Sequence, residues 1–489
     1  MKRSFFTALF LLIIYYAGGQ DGTQISIGRK ETIYSEVLKE KRTFWIYTPA
    51  YTSRAANPGK QYPVLYVLDG EAHFFSVVGI IQQLSQANGN GVLPEMMVVG
   101  IENTDRLRDL VPSGDNNQPN PFARFLSAEL IPYINEKYRP APYRLLVGHS
   151  LGGLTVIDIL AQSPRLFNAC IAIDPSMWYL SEKFLKRAIR QMPSQNLEGR
   201  RLFIGTANTL PAGMNLSQLR GDRSAETQHI RSIFKLDSFL RVNKNDLYYS
   251  HKYYEKEKHN TVPLLSMYDG LRFVFDYYEP DISERDFADT SAVLANKMKT
   301  HYTIVSNRMG YKNTAPESLV NYLAYEALQK KHFRKAKELF MLNSTWFPES
   351  HQVYSAFADY YVVVKDTANA LASYQKAKQL GAGPLIESRI AALTGRGGEK
   401  ITSADLSRYS GVYNLELYNI PVVLEIRSGK LWAKVPGQPD DELLLLSENV
   451  FTVKGKQGYT ITFQMNGNQP KEFISVQPNG TFKAVFQKK

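Results

Sequence analysis

Gly148-His149-Ser150-Leu151-Gly152-Gly153 is the stretch of this chain whose residue types and spacing could do chemistry. The apolar run Leu145-Leu146-Val147 precedes it, and an apolar helical pattern from Leu154 to Leu160 follows. Gly-x-Ser-x-Gly between a strand and a helix is a nucleophile elbow, a sharp turn that lifts the serine hydroxyl above the sheet. Such a serine takes a strained backbone angle, so its neighbours must lack bulk; hence glycine on both sides. The competing reading is a glycine-rich turn with an idle serine. His149 is expected to point away from the nucleophile and pack.

A serine nucleophile needs a general base, an orienting acid and an oxyanion hole. Around such an elbow the chain order is Ser, then acid, then His. His229, His251 and His259 follow Ser150 in the same part of the chain. His229 falls in a helical pattern and His251 in a strand. His259 sits in the polar segment Lys256-Glu257-Lys258-His259-Asn260-Thr261, after a strand ending near Tyr254. A loop at a strand's C-terminal end lets a base reach across to Ser150, so His259 is the expected base.

The acid is less sharply marked. Its usual place, after the strand at 202–204, reads Gly205-Thr206-Ala207-Asn208 and has no carboxylate. Asn208 can hydrogen-bond an imidazole but stabilises its charge less well. Asp222, further along that loop, is the preferred acid. Glu226, Asp174 and an acid-free Ser–His dyad stay open. Asp222 and Glu226 also suit a helix start, where carboxylates meet free N–H groups. Asp174-Pro175 also suits a plain turn.

One oxyanion donor should be the Leu151 backbone N–H. The other is expected from the loop Asp69-Gly70-Glu71-Ala72-His73-Phe74, where Gly70 permits close backbone approach and Glu71 N–H can donate. Two residues are candidates for binding substrate. Arg108, in Asn103-Thr104-Asp105-Arg106-Leu107-Arg108-Asp109, follows a strand's C-terminus, the edge where open α/β sheets bind ligands. It could meet an acidic or hydroxyl-rich substrate, with an Arg108–Asp109 brace as the alternative. Trp178 could stack on a sugar or catechol ring, against a core-packing alternative.

Positioning these groups requires a sheet. Residues 21–282 alternate strand patterns (43–48, 64–68, 96–101, 143–147, 169–173, 202–204, 247–254) with helical ones, notably 122–136, 151–162 and 224–242. Near-continuous apolar strands between helices predict an α/β class with a mainly parallel, two-sided sheet and an antiparallel edge at its start. From 285 to 395 the pattern turns helical. Ala324 and Ala358, Ala336 and Ala370, and Phe340 and Tyr374 match at a 34-residue offset. That spacing resembles tetratricopeptide-type helix pairs, flanked by helices at 286–306 and 384–393. Thr394-Gly395-Arg396-Gly397-Gly398 reads as a linker. Residues 400–489 then show short strands punctuated by Ser428-Gly429, Asn466-Gly467 and Asn479-Gly480, a small antiparallel barrel or sandwich. Through Tyr409-Ser410-Gly411-Val412-Tyr413 this part resembles small β domains that follow hydrolase or peptidase domains in exported bacterial proteins.

Composition sets the outer bounds. The chain has 489 residues, 44% apolar and 21% charged, a globular profile that calls for two or three domains. Residues 1–19 read as a signal peptide: Lys2 and Arg3, an apolar stretch, then Ala17-Gly18-Gly19. An exported, periplasmic or secreted protein is expected, with no membrane span once that segment is cleaved. Cys170 is the single cysteine, so no intrachain disulfide and no cysteine-rich metal site can form. The net charge of +12 is dispersed, which argues against nucleic-acid binding.

Four segments occur in order: Tyr62-Pro63-Val64-Leu65-Tyr66-Val67-Leu68-Asp69-Gly70, Gly148-His149-Ser150-Leu151-Gly152-Gly153, Asp174-Pro175-Ser176-Met177-Trp178, and His259-Asn260-Thr261-Val262-Pro263. Together, over residues 31–278, they resemble the α/β-hydrolase family that contains esterase D-like and enterochelin esterase-like enzymes. The resemblance implies carboxylester hydrolysis through an acyl-enzyme, with Ser150 as nucleophile and His259 as base. The chain departs from the family pattern in lacking a carboxylate directly after 202–204. The expectation is an exported serine esterase that needs no cofactor or metal. Its substrate would be a small-molecule ester such as a siderophore, or an acylated glycan. Acyl transfer, or a non-catalytic scaffold binding a protein through the helical repeats, are the alternatives.

Overall fold

The computed structural model describes residues 26–49, 60–85, 91–112, 120–243, 246–394, 406–416 and 418–487. The signal-peptide reading of 1–19 and most of the linker lie outside them. The chain divides into two compact units, at Asp276/Tyr277.

The first unit is built on one eight-stranded sheet in the order β1-β2-β4-β3-β5-β6-β7-β8. Its strands are β1 Arg29–Ser35, β2 Glu40–Tyr47, β3 Val64–Val67, β4 Met97–Ile101, β5 Arg144–His149, β6 Ala169–Ile173, β7 Arg201–Ala207 and β8 Tyr248–Tyr254. β1 pairs antiparallel with β2 and β2 antiparallel with β4; the remaining pairs are parallel. The expected antiparallel edge is thus present. β1 carries five charged or polar residues in seven (RKETIYS) and lacks the apolar run of the central strands. The central strands β3, β4, β6 and β7 are buried at every position, as helix-covered parallel strands must be. The covering helices are α1 Gly70–Leu84, α2 Ile131–Tyr138, α3 Leu151–Gln162, α4 Tyr179–Gln191, α5 Gln228–Val242 and α6 Val262–Val274. α5 begins at Gln228 and not at 224, because residues 222–227 form a turn gathered around Asp222.

Among the described residues, the second unit joins a short helix, Glu284–Ala288, and six longer ones to a barrel. The longer helices are α7 Val293–Met309, α8 Glu317–Gln329, α9 Phe333–Trp346, α10 His351–Val363, α11 Thr367–Gln379 and α12 Pro384–Leu393. They stack as hairpins. All residues of the 34-residue offset are buried: Ala324, Ala336, Ala358, Ala370, Phe340 and Tyr374. Eight antiparallel strands from Gly411 to Phe486 close into a barrel, a sharper result than a barrel or sandwich. Tyr409, Tyr413, Phe451, Phe463 and Phe473 fill it. Helices and barrel form one unit because they touch: Asn321 donates to the Pro478 carbonyl at 3.3 Å, and a Cβ on Gly458 would meet the Tyr325 ring at 2.6 Å.

Inside the helical part, Asp359 is buried and accepts from Tyr325 (2.8 Å), Tyr374 (2.6 Å) and Arg389. Removing one member of such a group leaves an uncompensated charge. Asp359→Ala is expected to cost about 3 kcal/mol of second-unit stability. Urea unfolding of the full chain measures it, and a loss under about 1 kcal/mol, the scale of a surface pair, would contradict that role.

Candidate active site

Ser150 stands between β5 and α3 at φ 58°, ψ −115°, a conformation that costs of order 1–3 kcal/mol for a residue with a side chain. The backbone over-determines it. Ser150 N–H donates to Ile173 O at 2.9 Å, while Ser176 N–H and Leu154 N–H each donate to Ser150 O at 3.0 Å. The glycines are steric necessities. A Cβ at 148 would lie 2.4 Å from Gly152 O, and one at 153 would lie 3.0 Å from Ile173 O.

His259 lies in the turn between β8 and α6, as the sequence places it. Its Nε2 is 3.1 Å from Ser150 Oγ, and its Nδ1 is 2.6 Å from Asp174 Oδ2. With a carboxylate as acceptor, Nδ1 carries the proton and Nε2 offers its lone pair to the serine hydroxyl. In this arrangement a serine can lose its proton to an imidazole held by an anion.

The carboxylate at His259 is therefore Asp174, and the preference for Asp222 is corrected. Asp222 Oδ2 accepts from Ser224 Oγ at 2.8 Å and from Thr227 Oγ1, closing the turn before α5. Glu226 is exposed beside it. Asp174 follows β6 with φ 40°, one strand earlier than expected. The extended end of β7 explains the empty position there: Ala207 N–H donates to Asp174 Oδ1 at 3.0 Å. Asn208 serves the base loop from its own side, donating to Glu255 O and Glu257 O. Burial alone would push the Asp174 carboxyl up. Hydrogen bonds from His229, His259 and Ala207 outweigh it and hold it well below the usual carboxylate range. His229, set aside in the sequence as a helix residue, donates from Nε2 to Asp174 Oδ2 at 2.9 Å.

Leu151 and Glu71 each lie in the first turn of a helix, before its first intrahelical donors. Those donors are Leu154 to Ser150 O, and Ala72 and His73 to Asp69 O. The two turns approach each other closely: a Cβ on Gly152 would be 3.3 Å from Asp69 Oδ2. Asp69 itself sits at φ 52° and is gripped by Arg106 through Nε (2.7 Å) and an NH2 (2.9 Å). Asn103 donates to both Asp69 (2.6 Å) and Glu71 (2.9 Å). Arg106 thus braces the loop that carries Glu71, a role the sequence did not disclose.

Arg108 is 43% exposed and engaged by neighbouring carboxylates. Its guanidinium binds Glu40 (2.6 and 3.0 Å) and Asp109 (2.7 Å), while buried Arg42 holds Asp109 from the other side at 2.5 Å. The loop-brace alternative describes it. Trp178 is 39% exposed, two residues beyond Ser176, whose Oγ lies 3.2 Å from Ser150 Oγ. Core packing does not describe it.

Ligand atoms of Asp174, His229 and His259 lie within 4.8 Å of one another, a donor set that transition metals favour. Each of these side chains already serves the hydrogen-bonded chain running to Ser150. His149 does more than pack. Its Nε2–H donates to His259 O at 2.9 Å, and its ring lies 4.6 Å from the His259 ring. Burial, then the His259 and His73 imidazoles, push His149 down from 6.5 to about 4. A histidine depressed on folding stabilises the protein fully above its unfolded value. That stability is lost as pH falls from about 6.5 towards 4, where only the unfolded chain binds the proton. His149→Gln should therefore lose less in thermal midpoint than wild type between pH 6.5 and 4.5; parallel curves would refute this.

Comparison with known proteins bears chiefly on the first unit, with the solved structures extending beyond it. Residues 35–257, less than half of the chain, match the family model Esterase, described as Putative esterase. The ferri-bacillibactin esterase BesA of Bacillus subtilis is 29% identical over 171 residues, covering 30% of this chain and 58% of that protein. The siderophore enterobactin esterase of Emericella nidulans is 26% identical over 157 residues, covering 27% of this chain and 52% of that one. The chain thus spans little more than half the length of these curated relatives. An IroE-like serine hydrolase from Shewanella oneidensis superposes with TM-score 0.53 at 27% identity, over 65% of this chain and 99% of that one. An uncharacterised protein from Capnocytophaga ochracea superposes with TM-score 0.52 at 20% identity, over 75% of this chain and 99% of its own, and shows the fold alone. The first unit has an α/β-hydrolase-like esterase fold, and the matches support an esterase family for that part of the chain.

Proposed function

We propose that the protein is a serine carboxylic ester hydrolase that works through an acyl-enzyme on Ser150. One observation carries the reading: on a strained elbow, Ser150 Oγ lies 3.1 Å from His259 Nε2, whose Nδ1 lies 2.6 Å from buried Asp174. Ser150 Oγ attacks the ester carbonyl carbon while His259 Nε2 takes the hydroxyl proton. The tetrahedral oxyanion rests on the Leu151 and Glu71 N–H groups. Collapse breaks the C–O bond, and His259 returns the proton to the departing alcohol. Water then attacks the acyl-enzyme with His259 again as base, releasing the acid and restoring Ser150.

The names of the bacillibactin and enterobactin esterases favour a siderophore ester over an acylated carbohydrate as substrate. Trp178, exposed beside Ser176, supplies a face on which an aromatic ring can stack. Around this core the proposed layout is an exported chain with a signal peptide at 1–19, the hydrolase at 21–282, tetratricopeptide-like repeats at 285–395 and the β domain at 400–489. The 34-residue offset of buried alanines supports the repeat reading.

Hydrolysis of a chromogenic short-chain ester tests the mechanism. Ser150→Ala, His259→Ala and Asp174→Asn are each expected to lower kcat by about a thousandfold or more, with Asp222→Asn within about twofold of wild type. Activity that survives Ser150→Ala overturns the serine mechanism. An Asp222→Asn loss matching that of Asp174→Asn overturns the assignment of the acid.

A further inference from the structure

Asp174 Oδ2 accepts from two imidazoles, His259 Nδ1 at 2.6 Å and His229 Nε2 at 2.9 Å. A Ser–His–carboxylate relay requires only the first. His229 reaches Asp174 from the second residue of α5, and its side chain is 16% exposed. Its ring stands at 87° to the His259 ring, with centroids 5.3 Å apart. A carboxylate oxygen can only accept, so the His229 proton lies on Nε2. His229 Nδ1 is buried and has no hydrogen-bond partner among the described residues. The hydrogen bonding of this imidazole therefore goes to the acid of the relay.

We infer that His229 is a positioning residue: by donating to Asp174 it fixes the carboxylate so that His259 is presented squarely to Ser150. The inference rests on the reading of Ser150, His259 and Asp174 as catalytic machinery. The geometry explains how it acts. Ala207 N–H pins Oδ1 at 3.0 Å, which leaves Oδ2 to settle the carboxylate's rotation. Two donors meeting at nearly perpendicular ring planes define one position for that oxygen. With His259 alone, oxygen and imidazole can shift together, and Nε2 drifts from the serine hydroxyl. The anion would also lose one of the three donors that offset its burial. No bond to substrate is involved, so the effect should fall on the chemical step and spare binding.

The test uses the full chain with a chromogenic ester and variants at positions 229 and 150, each checked by thermal unfolding. His229→Leu keeps bulk and removes the donor; His229→Gln offers an amide N–H in place of Nε2–H. The leucine variant is expected to lose ~10- to 100-fold in kcat, the scale of a slight misplacement, with KM moving less than about threefold. The glutamine variant should recover to within about fivefold of wild type. Wild-type kcat in His229→Leu overturns the inference, and so does a folded His229→Gln as slow as the leucine variant. If the leucine variant does not fold, His229→Asn replaces it. Its amide is too short to reach Oδ2, so it must be slow where Gln is fast, and equal rates overturn the inference. Ser150→Ala separates the two levels. Activity surviving there defeats the hydrolase reading itself. An inactive Ser150→Ala beside a fully active His229→Leu defeats only the role of His229.

Discussion

A carboxylate buried at the end of a central strand is the constraint on which the site depends. Asp174 has no side-chain exposure, and without donors it would take up a proton and cease to orient anything. Three elements converge to prevent that: the end of β7 through Ala207 N–H, the start of α5 through His229, and the turn before α6 through His259. The parallel register aligns β6 and β7 so that Ile173 pairs with Gly205, just short of both groups. The sheet does more than carry the acid: it supplies one of its hydrogen bonds.

The nucleophile depends on the same strand end. Ser150 N–H donates to Ile173 O, and Asp174 follows immediately. Strain at Ser150 and the position of Asp174 are thus fixed by neighbouring peptide groups. On the opposite side, Arg106 and Asn103 hold Asp69 and Glu71 at the start of α1. The loop proposed to carry one oxyanion donor is therefore braced, as the carboxylate is. Preorganised groups of this kind need little rearrangement as charge develops.

The elbow was legible because its steric demands are local: Gly148 and Gly153 face backbone atoms a few residues or one strand away. His259 was legible because a loop histidine after the last strand has few other reasons to be there. The apolar strands gave the parallel sheet, while β1, half charged, gave no periodic signal. Chain order favours Asp222 over Asp174, but it does not say which strand end faces the imidazole. Only the pairing of β6 with β7 does. Arg108 and Arg106 carry the same charge two residues apart, yet one is locked to Glu40 and Asp109 and the other to Asp69. No pattern in the sequence separates them. The barrel's closure likewise depends on its first strand, Gly411–Leu415, pairing with its last, Gly480–Phe486, about seventy residues apart and beyond the reach of local patterning.

Covalent capture addresses the central claim most directly, namely that Asp174 acting through His259 makes Ser150 nucleophilic. The full chain is treated with a fluorophosphonate, and the adduct is located by peptide mass mapping while its rate of formation is followed in wild type and Asp174→Asn. The account predicts a single stoichiometric adduct on Ser150 that forms at least about a hundredfold more slowly in Asp174→Asn. An adduct on another residue, or equal rates in the two proteins, would contradict it.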